Sequence, residues 1–134
     1  MNLLLCLALL AQDPEKLQTV DDLGLRIAPG FQITLVADHT LANDIYAMTL
    51  DSKGRVVVTS QGWIKRLEDR NGDGKADEAV LFGTTRTGGM GMCFDGNDLL
   101  CTGDGALLRL RDADADGRAD GPPQRILEIK TGGG

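Results

Sequence analysis

The sequence is short of basic charge, of aromatic residues and of long apolar runs. Fourteen Lys and Arg face twenty Asp and Glu, for a net charge of −6. The basic residues are scattered along the chain rather than gathered into a stripe, which excludes nucleic acid as a partner. Three Phe, one Tyr and one Trp leave the core to Val, Leu, Ile and Met. The only sustained apolar run, MNLLLCLALLA at residues 1–11, is too short to cross a bilayer, so no transmembrane span is expected. The single histidine, His39 in VADHTLAND, falls in a polar loop and reads as a surface loop residue, not a catalytic base.

The chain has eighteen glycines. With few aromatics, they describe a turn-rich chain of short strands rather than long helices. A length of 134 residues suits one small domain. The run at residues 1–11, followed by the polar QDPEK, reads as a signal peptide over residues 1–12, which directs the protein to the periplasm or the extracellular space. Residues 13–30 then read as an N-terminal linker. Cys6 falls in the signal segment.

Cys93 and Cys101 flank a Gly-Asn turn in MCFDGNDLLC. A two-residue turn at Gly96 and Asn97 sets 93 opposite 100 and 92 opposite 101, and so points the two thiols to opposite faces. A three-residue turn would pair them instead. The first arrangement predicts two buried free thiols that act as small apolar residues.

An internal repeat organises the rest. WIKRLEDRNGDGKADE from Trp63 returns as ALLRLRDADADGRADG from Ala106, with a period of roughly 43 residues. Upstream, AMTLDSKGRVVVTSQG at 47–62 matches GMCFDGNDLLCTGDG at 91–105 once one turn residue is dropped. Each copy predicts four strands, at 45–50, 55–60, 63–68 and 79–83, then at 90–95, 98–103, 106–111 and 124–130. Four antiparallel strands per repeat of this length are the content of one β-propeller blade. The fold expected is therefore all-β: a partial propeller over 31–134, with blade one at 45–83 and blade two at 90–130. FQITLVAD from Phe31 predicts an isolated N-terminal strand that would complete a blade beyond these two. Two blades cannot close a ring, so the sequence reads as the front of a longer protein whose remaining blades are its partners.

Both repeats carry the pattern D-x-[DN]-x-D-G-x-x-D. Loop one offers Asp69, Asn71, Asp73 and Asp77 with the carbonyl of Lys75; loop two offers Asp112, Asp114, Asp116 and Asp120 with the carbonyl of Arg118. Oxygens at alternate positions of a tight loop converge on one hard cation, and with no sulfur or imidazole nearby that cation is calcium. Val80 and Pro123 stand where an EF-hand has its bidentate glutamate, and the flanks are strands, so affinity on the order of 10⁻⁴ to 10⁻³ M is expected. The other reading is a solvated acidic turn, since Asp, Asn and Gly are ordinary turn residues. Repetition at equivalent places favours calcium. In loop two, four carboxylates repel one another without a cation, although Arg111 and Arg118 offset part of that charge.

APGFQITLVAD, DIYAMTLDSKGRVVV, the two R-L-x-D-x-[DN]-x-D-G-[KR]-A-D runs and ILEIKTGGG together resemble the N-terminal part of planctomycete-type membrane-bound dehydrogenase propellers. Those are related to soluble glucose/sorbosone dehydrogenases. The resemblance implies a six-bladed exported propeller, often fused to haem modules with a CxxCH motif, and a parent that oxidises a small sugar or alcohol with pyrroloquinoline quinone (PQQ) and calcium. It places the catalytic histidine in an E-H-x-x-H segment that follows the glycine run. That segment is not in this sequence, so no catalytic residue is assigned, and quinone belongs to the full-length parent only. Three readings follow as expectations: part of a quinoprotein-like oxidoreductase, inactive alone; a calcium-stabilised propeller module for binding or scaffolding; or an independent small β domain. Arg86 and Thr87, in TTRTGGMGM, read either as ligand-facing residues at the inner rim of a ring or as plain turn residues. The glycines beside them permit close backbone packing.

Overall fold

A computed structural model describes residues 17–130. The signal-peptide expectation lies outside the described residues. The chain divides into two units between Leu35 and Val36. In the first, β1 (Gln18–Val20) and β2 (Leu25–Ile27) form an antiparallel pair, joined by a single 3₁₀ turn at Asp21–Leu23 that ends on Gly24 at φ 62°. This hairpin sits inside the stretch read as a linker. Three-residue strands are too short to show a period in sequence.

The second unit holds two four-stranded antiparallel sheets, each a meander in chain order. The first consists of β3 (Ala47–Leu50), β4 (Val56–Ser60), β5 (Trp63–Glu68) and β6 (Glu78–Gly83). The second consists of β7 (Gly91–Asp95), β8 (Asp98–Gly103), β9 (Ala106–Leu110) and β10 (Gln124–Glu128). Among the described residues the protein is all-β, with three antiparallel sheets and almost no helix. Every strand of the two large sheets lies within two residues of its expected bounds, because Gly, Asp, Asn and Ser turns punctuate short apolar runs.

The repeat reaches down to an irregularity. Lys65 pairs with Leu81 and Ile64 with Gly83, which leaves Phe82 as a bulge; Leu108 pairs with Arg125 and Leu107 with Leu127, which leaves Ile126 in the same place. Phe82 turns into the core, where it meets Phe94 edge to face with ring centroids 5.7 Å apart. Around this pair, Val57 and Ile64 of the first sheet pack with Leu99, Cys101, Ala106, Leu108 and Leu110 of the second. The two sheets thus share one core. Along β9, buried Ala106, Leu108 and Leu110 alternate with half-buried Leu107 and Arg109, as a one-sided strand requires.

One expectation finds no pairing here and another is corrected. The segment at 31–38, expected as an isolated strand that completes a blade beyond these two, joins no sheet among the described residues. Its fixed point is the Val36 carbonyl, which accepts the Ala76 N–H at 2.7 Å. The correction concerns the thiols. The register Met92↔Cys101, Cys93↔Leu100 and Asp95↔Asp98 is that of the two-residue turn, so the thiols do face opposite ways, but only Cys101 is buried. Cys93 is exposed, on the β7 face turned away from Met92 and Phe94.

Candidate metal centre

The two acidic loops join β5 to β6 and β9 to β10, and the same bonds shape them. Gly74 N–H donates to Asp69 Oδ2 at 2.8 Å, as Gly117 N–H does to Asp112 Oδ2 at 2.9 Å. Lys75 and Arg118 donate their N–H groups to Asp73 and Asp116, and Arg70 and Ala113 donate theirs to Asp77 and Asp120. The glycine after the third acid lies at φ 85° in loop one and 83° in loop two, a conformation that side chains resist. Two positions earlier, Gly72 at φ 78° is matched by Ala115 at φ 61°. Loop two therefore carries a strained backbone where loop one has a glycine.

Their charges are handled differently. In loop one both Asp69 oxygens receive backbone N–H groups, since Gly72 N–H also reaches Oδ1 at 2.7 Å. Donation from Gly74 holds that carboxyl below its usual range, with Gly72 adding to it against a smaller cost of burial. The Asn71 amide nitrogen bridges Asp73 and Asp77 at 3.3 Å each. In loop two the equivalent of Asn71 is Asp114, which has no N–H to give.

Asp112 is only 4% exposed, and its Oδ1 is buried without a hydrogen-bond partner. Burial pushes its carboxyl above the usual range, and Asp116 and Asp114 push it further. Oxygens of Asp112, Asp114 and Asp116 lie within 4.8 Å of one another. A cavity of about 20 Å³ beside Asp112, lined also by Gly117, Arg66 and Asn97, has room for a single water-sized particle. Three hard oxygen donors, one from a carboxylate that also has an unpaired buried oxygen, suit a hard divalent cation.

Of the ten residues expected to hold metal, the structure gathers Asp112, Asp114 and Asp116 into one cluster. It ties Asp120 to the Ala113 backbone and binds Asp69, Asn71, Asp73 and Asp77 to one another and to loop-one N–H groups. Lys75 and Arg118 contribute their amide N–H groups to the loops. Two supports escaped the sequence reading. Asp98, buried, accepts the Asp112 N–H at 3.0 Å on one oxygen and Arg109 Nε at 2.6 Å on the other. Arg66, 7% exposed, reaches from β5 to the Gly117 carbonyl at 2.6 Å. Asp98 looks like a turn acid and Arg66 like a solvent-facing strand cation, so no local signal marks either.

The other candidates resolve simply. His39 is exposed. Arg86 and Thr87 donate backbone N–H groups to the Asp104 carboxylate at 3.0 and 2.7 Å, which fastens the link between the sheets to the β8–β9 turn. A Cβ on Gly88 would stand 2.7 Å from the Ser60 carbonyl, so this glycine run does pack backbone against backbone. No described helix is long and apolar enough to cross a membrane.

Fold and loops together define a class: an all-β protein of tandem four-stranded sheets, each with an acidic loop between its last two strands. Residues 21–127 match the family described as "Domain of unknown function (DUF7133)", and the chain belongs to it. No curated protein and no solved structure matches the chain.

Proposed function

We propose that this chain is a pair of consecutive β-propeller blades stabilised by calcium, with loop two as the principal site and loop one as a weaker one. The observation that carries the calcium reading is the unpaired, buried Asp112 Oδ1 beside Asp114 and Asp116. A carboxylate oxygen removed from water with no donor costs several kcal/mol unless a cation or proton meets it. The blade reading is supported by a contact that recurs with the repeat: Ala119 N–H donates to the Phe82 carbonyl at 2.7 Å, and Ala76 N–H to the Val36 carbonyl at 2.7 Å. Each acidic loop thus fastens its sheet to the segment before it.

The role proposed for the ion is structural, in an exported protein bathed in millimolar calcium, with further blades of the same kind as partners. Relationship to glucose/sorbosone dehydrogenase propellers remains part of the proposal, with quinone and a sugar or alcohol substrate belonging to the complete ring. Calcium titration followed by calorimetry and thermal melting tests it. At a free concentration one hundred times the dissociation constant, linkage gives about 2.7 kcal/mol, a rise of several degrees in Tm. Asp112→Asn is expected to abolish most of that rise and Asp69→Asn little of it. No response at millimolar calcium would remove the reading. Sugar oxidation with added quinone and calcium is expected to stay at the metal-free background, and turnover above it would assign this chain a catalytic role.

A further inference from the structure

Loop two is held from outside its own sheet. Gly117 donates its N–H to Asp112 Oδ2 at 2.9 Å, while its carbonyl accepts Arg66 Nη1 at 2.6 Å from the neighbouring sheet. Both bonds are buried. A Cβ on Gly117 would run into the Arg66 guanidinium, so the position is glycine for space as well as for its φ of 83°. Arg66 is itself fixed: its Nε donates to Glu68, whose Oε1 also accepts Arg55 Nη1 at 3.2 Å. Among the described residues no side chain does this for the Gly74 carbonyl of loop one.

We infer that Arg66 is a positioning residue of the loop-two cation site, and that ion binding there and the packing of the two sheets are one coupled event. The inference rests on the reading of loop two as a cation site, which the unpaired buried oxygen of Asp112 supports independently of Arg66. The Gly117 residue is the lever. With its carbonyl committed to Arg66, it is withheld from the metal, and its N–H occupies Asp112 Oδ2, which leaves Oδ1 as the oxygen of that carboxylate without a partner. An ion that draws the three carboxylates together tightens the Arg66 bond, and by reciprocity a well-seated Arg66 raises affinity for the ion.

Position and charge predict opposite signs. As a mere positive charge near a cation, Arg66 would weaken binding, so Arg66→Met would tighten calcium and Arg66→Lys would leave it unchanged. As a positioning group whose planar fork is matched to a carbonyl, it predicts that both variants weaken calcium binding, Arg66→Met by roughly tenfold or more and Arg66→Lys by less. The experiment is calcium calorimetry on the full chain, wild type and both variants. It is joined by the NMR signal of the Arg66 Nε–H in the wild type, which needs no variant to fold. The expected results are weaker binding in both variants and an Arg66 signal that shifts and exchanges more slowly with solvent on calcium addition, unaltered by Asp69→Asn. Calcium binding with unchanged or tighter affinity in folded Arg66→Met, or with an Arg66 signal that does not move, would overturn the coupling while leaving the site intact. A wild type silent to calcium would overturn the site and the coupling together.

Discussion

At the scale of single residues, the buried acids and thiols set the chemistry. Burial, aided by the Asp104 charge, pushes the Cys101 thiol up to about 11. Cys101 therefore stays protonated and shielded in the folded protein, while Cys93 lies open. Iodoacetamide at pH 8 is expected to modify Cys93 in the native state and Cys101 only after denaturation, as peptide mapping would report. Asp104 is the converse: burial works against its charge, but the Thr87 hydroxyl and the Arg86 and Thr87 N–H groups outweigh it and hold the carboxyl below its ordinary range. A depressed folded value means stability that is present above about pH 4 and lost as pH falls through that folded value. Asp104→Asn should lower stability at neutral pH and flatten the acid limb of a denaturation profile. Ala115 offers the opposite opportunity, since its φ of 61° suits glycine. Ala115→Gly is expected to stabilise by about 1 kcal/mol in urea unfolding without calcium.

At the scale of elements, strands and turns were legible because their signals are local. The Gly-Asn turn fixed the register of β7 against β8, and the repeat placed both acidic loops between the same strands. What stayed hidden depends on neighbours far along the chain. The sequence shows two nearly identical loops, yet only one has a buried, unpaired carboxylate oxygen, because Asp98 and Arg66 close over loop two and an Asn71 amide already bridges the acids of loop one. The pair Arg55 and Glu68 in the first sheet reappears with charges exchanged as Asp98 and Arg111 in the second, at 3.9 Å. A sequence comparison sees two mismatches there; the fold sees one interaction kept. Close backbone packing is a further element-level consequence. A Cβ on Gly103 would collide with the Gly88 carbonyl, so Gly103→Ala is expected to cost about 1–3 kcal/mol, seen as a lower urea midpoint with an unchanged slope.

At the scale of the two-sheet unit, stability is concentrated where the sheets meet. Phe82, 3% exposed, enters the shared core from a bulge, and Phe82→Ala is expected to cost about 3–5 kcal/mol, a large share of the stability of a domain of this size. Ile126, at the same bulge of the second sheet, is 51% exposed, and Ile126→Ala should cost well under half as much. The contrast, measured by thermal melting of the two variants, separates a position that is covered from one that is not. The contacts between acidic loops and earlier segments bear on how such a tandem is made. Val36 precedes Ala76, and Phe82 precedes Ala119. Each latch therefore closes backwards, onto polypeptide that has already left the ribosome. Synthesis can thus proceed vectorially, every newly emerged sheet finding its anchor waiting, with no nascent loop obliged to linger for residues still to be translated.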